Sequence, residues 1–360
     1  MPRDPEPKNA VVFRNDKIGD LILAMPAMAA LKRKHPACRI TAVVSPLTAD
    51  LVASEAGDRP AGSTPLAMSA AVAGQPWLDA VFRWGTGDSI GALYRFLRDG
   101  KFDTAVFLLP KAKPALAAFL ARIPVRIGTV CRWFSPLFNR RVYDFRSRNL
   151  RHEAEYNIGL LKPLGVELTG QASAIPPLIP PKARDRAREL VARSGIPGGY
   201  VVIHPVGGGS ALNCSPAHYG RIAAALEKAG FPVLVTGTGQ DRPRAGTVLK
   251  AAGLPENRFM CPDTLPVLGA LLGAARAVIG PATGPLHLAA SLAIPTVTLI
   301  APIRSQSPLR WHPLGDRGTV LLPVNKVCPK CDPARCRQYN CMDAIDPDRV
   351  VYAVRTVTGA

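Results

Sequence analysis

Several stretches of this chain set small, polar and ionisable residues at the ends of apolar runs, an arrangement suited to holding anions. The run 278–300, VIGPATGPLHLAASLAIPTVTLI, reads as a buried strand, a Thr-Gly-Pro turn, an alanine-rich helix and a second strand. Pro285 suits the first helical turn, where its missing N–H is not needed, and Thr283 offers a capping hydroxyl. Free N–H groups and the positive end of the helix dipole then stand just past the strand, where α/β sheets bind phosphates. The same residues also describe an ordinary capped helix. The run 200–210, YVVIHPVGGGS, ends a strand in Gly207, Gly208, Gly209 and Ser210, whose consecutive N–H groups suit a pyrophosphate and equally a surface turn. The run 11–31 sets Asp16 and Lys17 in a polar loop and Asp20 where a long apolar helix begins, a favourable place for a cap. Cys328, Cys331, Cys336 and Cys341 follow a C-x2-C-x4-C-x4-C spacing that lets thiolates converge on a structural zinc, or stay as reduced thiols beneath a helix. Cys38, Cys131, Cys214 and Cys261 are scattered and read as ordinary thiols.

The elements that must position these residues alternate regularly. Strand-like segments at 10–14, 39–45, 80–84 and 104–109 alternate with helical ones at 21–34 and 114–122, the pattern of a parallel sheet covered by helices. The segment IPPLIPPK, ending at Lys182, holds four prolines and cannot continue a helix or a central strand. It predicts a first Rossmann-like domain at 1–175, a linker at 176–182 and a second Rossmann-like domain at 183–345. The second domain is predicted to hold a helix at 183–194 and strands at 200–204, 232–236, 277–280 and 296–300, before a final helix within 346–360.

Composition narrows the class. A chain of 360 residues favours two cores, and a hydrophobic content of 48% is ample to build them. No apolar run reaches the roughly 18 residues of a membrane span. The amino terminus, MPRDPEPKNA, has no apolar signal core, which predicts a cytoplasmic protein, with room for a peripheral place on the inner membrane. Forty-five basic residues against twenty-six acidic give a net charge of +19 and predict a polyanionic partner. Between 122 and 151 stand eight arginines, Arg132 among them, against the single acid Asp144, interleaved with Trp133, Phe134 and Phe138. No recognised nucleic-acid motif accompanies them, so no nucleic-acid partner is expected. Anionic lipid headgroups remain, as does a plain solvated face.

The segments RNDKIGDLILAMPAMAALKRKHP, VVIHPVGGGS, GPLHLAASLAIPTVTL and CMDAIDPDRVVYAV together resemble the inverting glycosyltransferases of family nine, in that family's order. Its best-known members are the heptosyltransferases of lipopolysaccharide core synthesis. The resemblance implies a GT-B fold with a ligand cleft between two Rossmann-like domains and a last helix crossing back to the first domain. It implies transfer of a sugar, first of all heptose from ADP-heptose, to an acidic glycolipid at the inner-membrane surface, with no cofactor for catalysis. Another nucleotide sugar or acceptor on the same fold, or an inactive glycolipid-binding subunit, are the alternatives. Asp20 matches the family's general base. Gly207, Gly208, Gly209, Ser210, Thr283, Gly284 and His287 match its donor-phosphate positions, and Gln240 stands near its ribose position. Asp16, Lys17 and Arg132 are acceptor-side candidates, and the cysteine run resembles a tail suggested to hold zinc or iron. The sequence departs from the pattern twice. Leu212 stands in a run where the family commonly has a lysine, and Ala282 replaces an aspartate before Thr-Gly.

Overall fold

The computed structural model describes residues 6–53, 69–70, 75–85, 87–207, 212–324 and 341–360. The chain divides into two compact units, Met1–Leu178 and Ile179–Ala360.

The first unit is built on β1 (Asn9–Arg14), β2 (Arg39–Val44), β3 (Ser69–Ala70), β4 (Ala80–Arg83), β5 (Thr104–Phe107), β6 (Val125–Thr129) and β7 (Arg140–Val142). They form one sheet in the order β3-β4-β2-β1-β5-β6-β7, parallel except for β3. Its helices are α1 (Ile18–Ile22), α2 (Met25–Lys34), α3 (Ile90–Asp99), α4 (Ala112–Leu120) and α5 (Glu153–Gly159). Ala10, Val11, Val12 and Phe13 are all buried, as expected of a central parallel strand covered on both faces. Phe13 stacks on Phe107 across the β1–β5 pair with centroids 4.6 Å apart. The single helix expected at 21–34 is instead two, because Pro26 near the amino end of α2 starts a new helix rather than continuing α1.

The second unit carries β8 (Val201–Ile203), β9 (Val233–Thr236), β10 (Phe259–Met260), β11 (Ala277–Pro281), β12 (Thr296–Leu299) and β13 (Gly318–Leu321). Their order is β10-β9-β8-β11-β12-β13, and every pairing is parallel. The helices are α6 (Pro181–Ala192), α7 (Pro216–Lys228), α8 (Arg242–Ala252), α9 (Leu265–Gly273), α10 (Gly284–Ser291), α11 (Pro308–Trp311) and α12 (Pro347–Thr358). Ser215 caps α7 by accepting from the His218 N–H at 3.1 Å, and Tyr219, Ile222, Ala223 and Leu226 then fall on one buried face. The last helix buries Val350, Ala353 and Val354 in the core of this second unit. Met342 and Ile345 join them just before the helix. Its apolar stripe finds its partners on α7 and beneath the neighbouring strands.

In both sheets the first strand in sequence lies in the interior, with its successor on one side and a later strand on the other. The connections therefore leave in opposite directions between β1 and β5, and again between β8 and β11. Such switch points open a crevice at the carboxyl edge of the sheet, where open α/β folds bind ligands.

Candidate functional site

At the first switch point β1 ends in Arg14, a buried cation that its apolar strand carries into the interior. The Arg14 Nε donates to Asp16 Oδ1 at 3.0 Å, and its guanidinium also forms a short ion pair with Asp20. Its Nη1 donates to the Leu108 carbonyl at 3.2 Å and lies 3.9 Å from Glu153 Oε1. Glu153 in turn pairs with Arg146, whose Nη2 donates to Asn157 Oδ1 at 3.1 Å. Asn157 closes the network by donating to the Leu23 carbonyl at 2.9 Å, at the break between α1 and α2. Burial of the charged form is the largest influence on Asp16 and, with Asp20 beside it, raises its carboxyl to about 6 against the opposing pull of Arg14 and Lys111.

Asp20 lies in the first turn of α1, after Lys17, whose side chain makes no capping bond. Its carboxylate is fixed by Arg14 rather than spent on the helix end. At 22% side-chain exposure it still meets solvent. Asp16 and Asp20 thus share one guanidinium, and Lys17 is exposed beside them. Arg132 is not part of this group. It is exposed on the loop after β6, two strands from β1, and no hydrogen bond or ion pair among the described residues joins it to Asp16 or Asp20. Arg14, Arg146, Glu153 and Asn157 were missed by sequence reasoning. Only Arg14 left a signal, as a charge closing the apolar run AVVFR.

At the second switch point β8 leads into His204, whose Nδ1 is 3.1 Å from the Thr236 hydroxyl of β9. Removal from water pushes this imidazole down to about 4, although the Asp241 carboxylate pulls the other way, so it is neutral at pH 7. Gly207 follows, while Gly208, Gly209 and Ser210 lie outside the described residues. Asn213 ties the far side of this loop to its start. Its Nδ2 donates to the Pro205 carbonyl at 2.9 Å, and its Oδ1 accepts from Tyr219 Oη at 2.7 Å and from the Cys214 N–H at 2.9 Å. Leu212 packs against the apolar core, and so brings no charge to the loop.

Across the crevice, Thr283 precedes α10, but its hydroxyl does not cap the helix as expected. It donates to the Pro281 carbonyl at 3.2 Å, the acceptor at the strand's end lying closer to hand. Gly284 is partly exposed at the helix start, whereas His287 is buried on the next turn. Gln240 is exposed in the short turn after β9, beside Asp241, which accepts from the Thr238 N–H at 2.9 Å. The structure therefore gathers Gly207, Gln240, Thr283 and Gly284 at the carboxyl ends of three adjacent strands, β9, β8 and β11.

Close approach at this edge depends on Gly280. A Cβ there would stand 2.6 Å from the His204 carbonyl oxygen and 2.9 Å from Leu286 Cδ2. Gly280→Ala is expected to cost about 1–3 kcal/mol of stability and to weaken anion binding at the same edge. Chemical denaturation, with nucleotide titration of the folded variant, measures both.

Of the four clustered cysteines, Cys328, Cys331 and Cys336 lie outside the described residues, and Cys341 opens the turn Cys341–Ala344. Among the described residues no three His, Cys, Asp or Glu side chains gather as a metal site would require. A cavity of about 940 Å³ lies between α6 and α9, lined by Arg184, Arg188, Tyr200 and Gly269. It flanks the amino end of β8, away from the residues above.

The first unit thus offers a held carboxylate that meets solvent, and the second a helix start suited to phosphate, with Gly207 on the neighbouring strand's end. A Haemophilus influenzae protein named as a candidate glycosyltransferase is 27% identical over 347 residues, covering 90% of this chain and 89% of that protein. The crystal structure of the family 9 glycosyl transferase from Veillonella parvula matches with a TM-score of 0.80 at 19% identity, over 98% of this chain and 97% of that one. The structure of Escherichia coli ADP-heptose lps heptosyltransferase II matches with a TM-score of 0.75 at 19% identity, over 98% of each chain. These likenesses identify the fold as GT-B, two Rossmann-like α/β domains. The sequence profile of glycosyltransferase family 9 (heptosyltransferase) matches residues 90–341, and the chain belongs to that family of glycosyltransferases.

Proposed function

We propose that the chain transfers heptose from ADP-heptose to an acidic glycolipid of the lipopolysaccharide inner core, at the cytoplasmic face of the inner membrane and with inversion at the anomeric carbon. The observation that carries this reading is the Asp20 carboxylate, gripped by Arg14 on one side and open to solvent on the other. It takes the proton of the acceptor hydroxyl as that oxygen attacks the anomeric carbon and the nucleotide leaves. Asp16 and Lys17 orient the acceptor, and Arg132 serves as a more remote contact for it. The N–H groups of the 207–210 loop and of the α10 start stabilise the departing diphosphate, with Thr283 and His287 lining the site and Gln240 at the ribose. No catalytic metal is needed, since fixed dipoles supply the charge stabilisation. A structural zinc or iron at Cys328, Cys331, Cys336 and Cys341 is proposed from their spacing alone.

The packed Leu212 and the uncharged Ala282 favour a second reading, in which a different nucleotide sugar is the donor. Calorimetric titration with ADP, UDP and GDP separates the two, with zinc and iron measured on the same sample. Preference for ADP is the expected result. Preference for UDP or GDP would move the donor assignment, and binding of none would leave a non-catalytic subunit. A protein free of both metals would remove the structural-metal proposal.

A further inference from the structure

We propose that the loops following β6 and β7 form a docking surface for a bilayer containing anionic lipid. The two loops touch: Cys131 Sγ lies 3.9 Å from the Asp144 carbonyl. Trp133 is 84% exposed, Tyr143 77% and Leu150 67%, so that the two touching loops together carry three large exposed side chains. Phe134 and Phe138, which the sequence groups with Trp133, are buried in the core of the sheet. The Trp133 ring stands edge-on to Phe134 at 5.5 Å, so its outward position rests on a fixed partner rather than on a loosely packed loop. Exposed arginines stand along the same segments. Arg141 lies on the edge strand β7, and the Arg148 guanidinium sits over the Phe145 ring at 5.0 Å. Asp144, the one acid of the stretch, lies 3.6 Å from Arg151.

Among occupants with an apolar interest in this face, a second copy of the chain would bring arginines against arginines. A single-stranded nucleic acid could stack on the aromatic rings but has no use for Leu150. A bilayer accounts for all three kinds of group: guanidinium at lipid phosphate, Trp and Tyr at headgroup depth, and Leu at the acyl boundary. No helix among the described residues is long and apolar enough to cross a membrane, so contact by these residues would be at the surface. The inference deepens the glycolipid reading by naming where the protein meets the membrane. It is tested without donor or acceptor, so either idea can fail alone.

The test is co-sedimentation of the full chain with vesicles of phosphatidylglycerol and phosphatidylcholine, and with vesicles of phosphatidylcholine alone. Binding to the anionic vesicles, with a blue shift of tryptophan emission, is expected. Trp133→Ser/Tyr143→Ser should lower the partition by about tenfold. Arg141→Gln/Arg148→Gln should lower it by about 25-fold on anionic vesicles. Both variants should keep the parent melting temperature and ADP affinity, which separates lost docking from lost folding. Absence of sedimentation by the parent, equal binding of parent and folded variants, or displacement from vesicles by a single-stranded oligonucleotide that binds more tightly would each overturn the proposal.

Discussion

Asp20→Asn should lower turnover by about 10²–10⁴-fold, the usual contribution of a positioned general base, and leave affinity for the donor nucleotide unchanged. Asparagine keeps the shape of the side chain and can still accept from Arg14 through its amide oxygen, so the network at the end of β1 is preserved. What it cannot do is take a proton. Nucleotide affinity should hold because the residues proposed to bind the donor stand on a separate unit with its own core. Steady-state turnover and calorimetric nucleotide binding on one preparation give both numbers. Undiminished turnover would make Asp20 a structural partner of Arg14 and send the search for the base elsewhere.

Arg14→Met should act on stability. One guanidinium serves Asp16, Asp20 and Glu153, and removing a buried cation from its carboxylates typically costs about 3–5 kcal/mol. The loss should also depend on pH. The Asp16 carboxyl, at about 6 in the folded protein, lies above the roughly 3.9 of an unfolded aspartate. Between these values the folded state holds a proton that the unfolded state has released, so the Asp16 contribution to stability is full below about pH 4 and declines as pH rises through about 6. Arg14 opposes this by favouring the carboxylate. Its removal moves the Asp16 carboxyl further up, and the deficit of the variant should grow from pH 5 to pH 8 in urea unfolding. Adding Asp16→Asn should recover part of that growth. A deficit independent of pH would mean that the carboxylates leave the interior when the cation is lost.

The regular elements were largely legible because their signals are local. Strands predicted at 39–45, 80–84 and 277–280 appear as Arg39–Val44, Ala80–Arg83 and Ala277–Pro281, buried throughout apart from the terminal Arg39 and Arg83. β6 and β7 escaped notice because arginine interrupts both, once in VRIGT and twice in RRV, and they lie toward an edge where no continuous apolar run is required. The candidate site was legible only where its residues adjoin an element's end, as with Asp20, Gly207 and Thr283. Glu153 and Asn157 reach Arg14 from a helix some 140 residues away in sequence, and no spacing rule registers such a meeting. Glu153 in sequence is one acid in the first turn of a helix, where His152 and Glu155 already form the cap. The role foreseen for the Thr283 hydroxyl failed for a related reason, since the choice between an amide and the Pro281 carbonyl depends on how the strand ends.

The two switch points also bear on how the chain acquires its crevices. Each is bounded by a strand pair remote in sequence, Ala10 with Thr104 in one unit and Ala277 with Val201 in the other. Closing such long loops costs chain entropy before any contact rewards it, while pairs such as β1 with β2 are nearer neighbours along the chain. A collapsed chain holding only the nearer pairs has a core in the making but no crevice. A ligand lodged at either carboxyl edge therefore selects molecules whose remote strands have found their register, and by mass action it draws the population toward them. Occupancy of these crevices is thus a gauge of completed folding as well as of affinity.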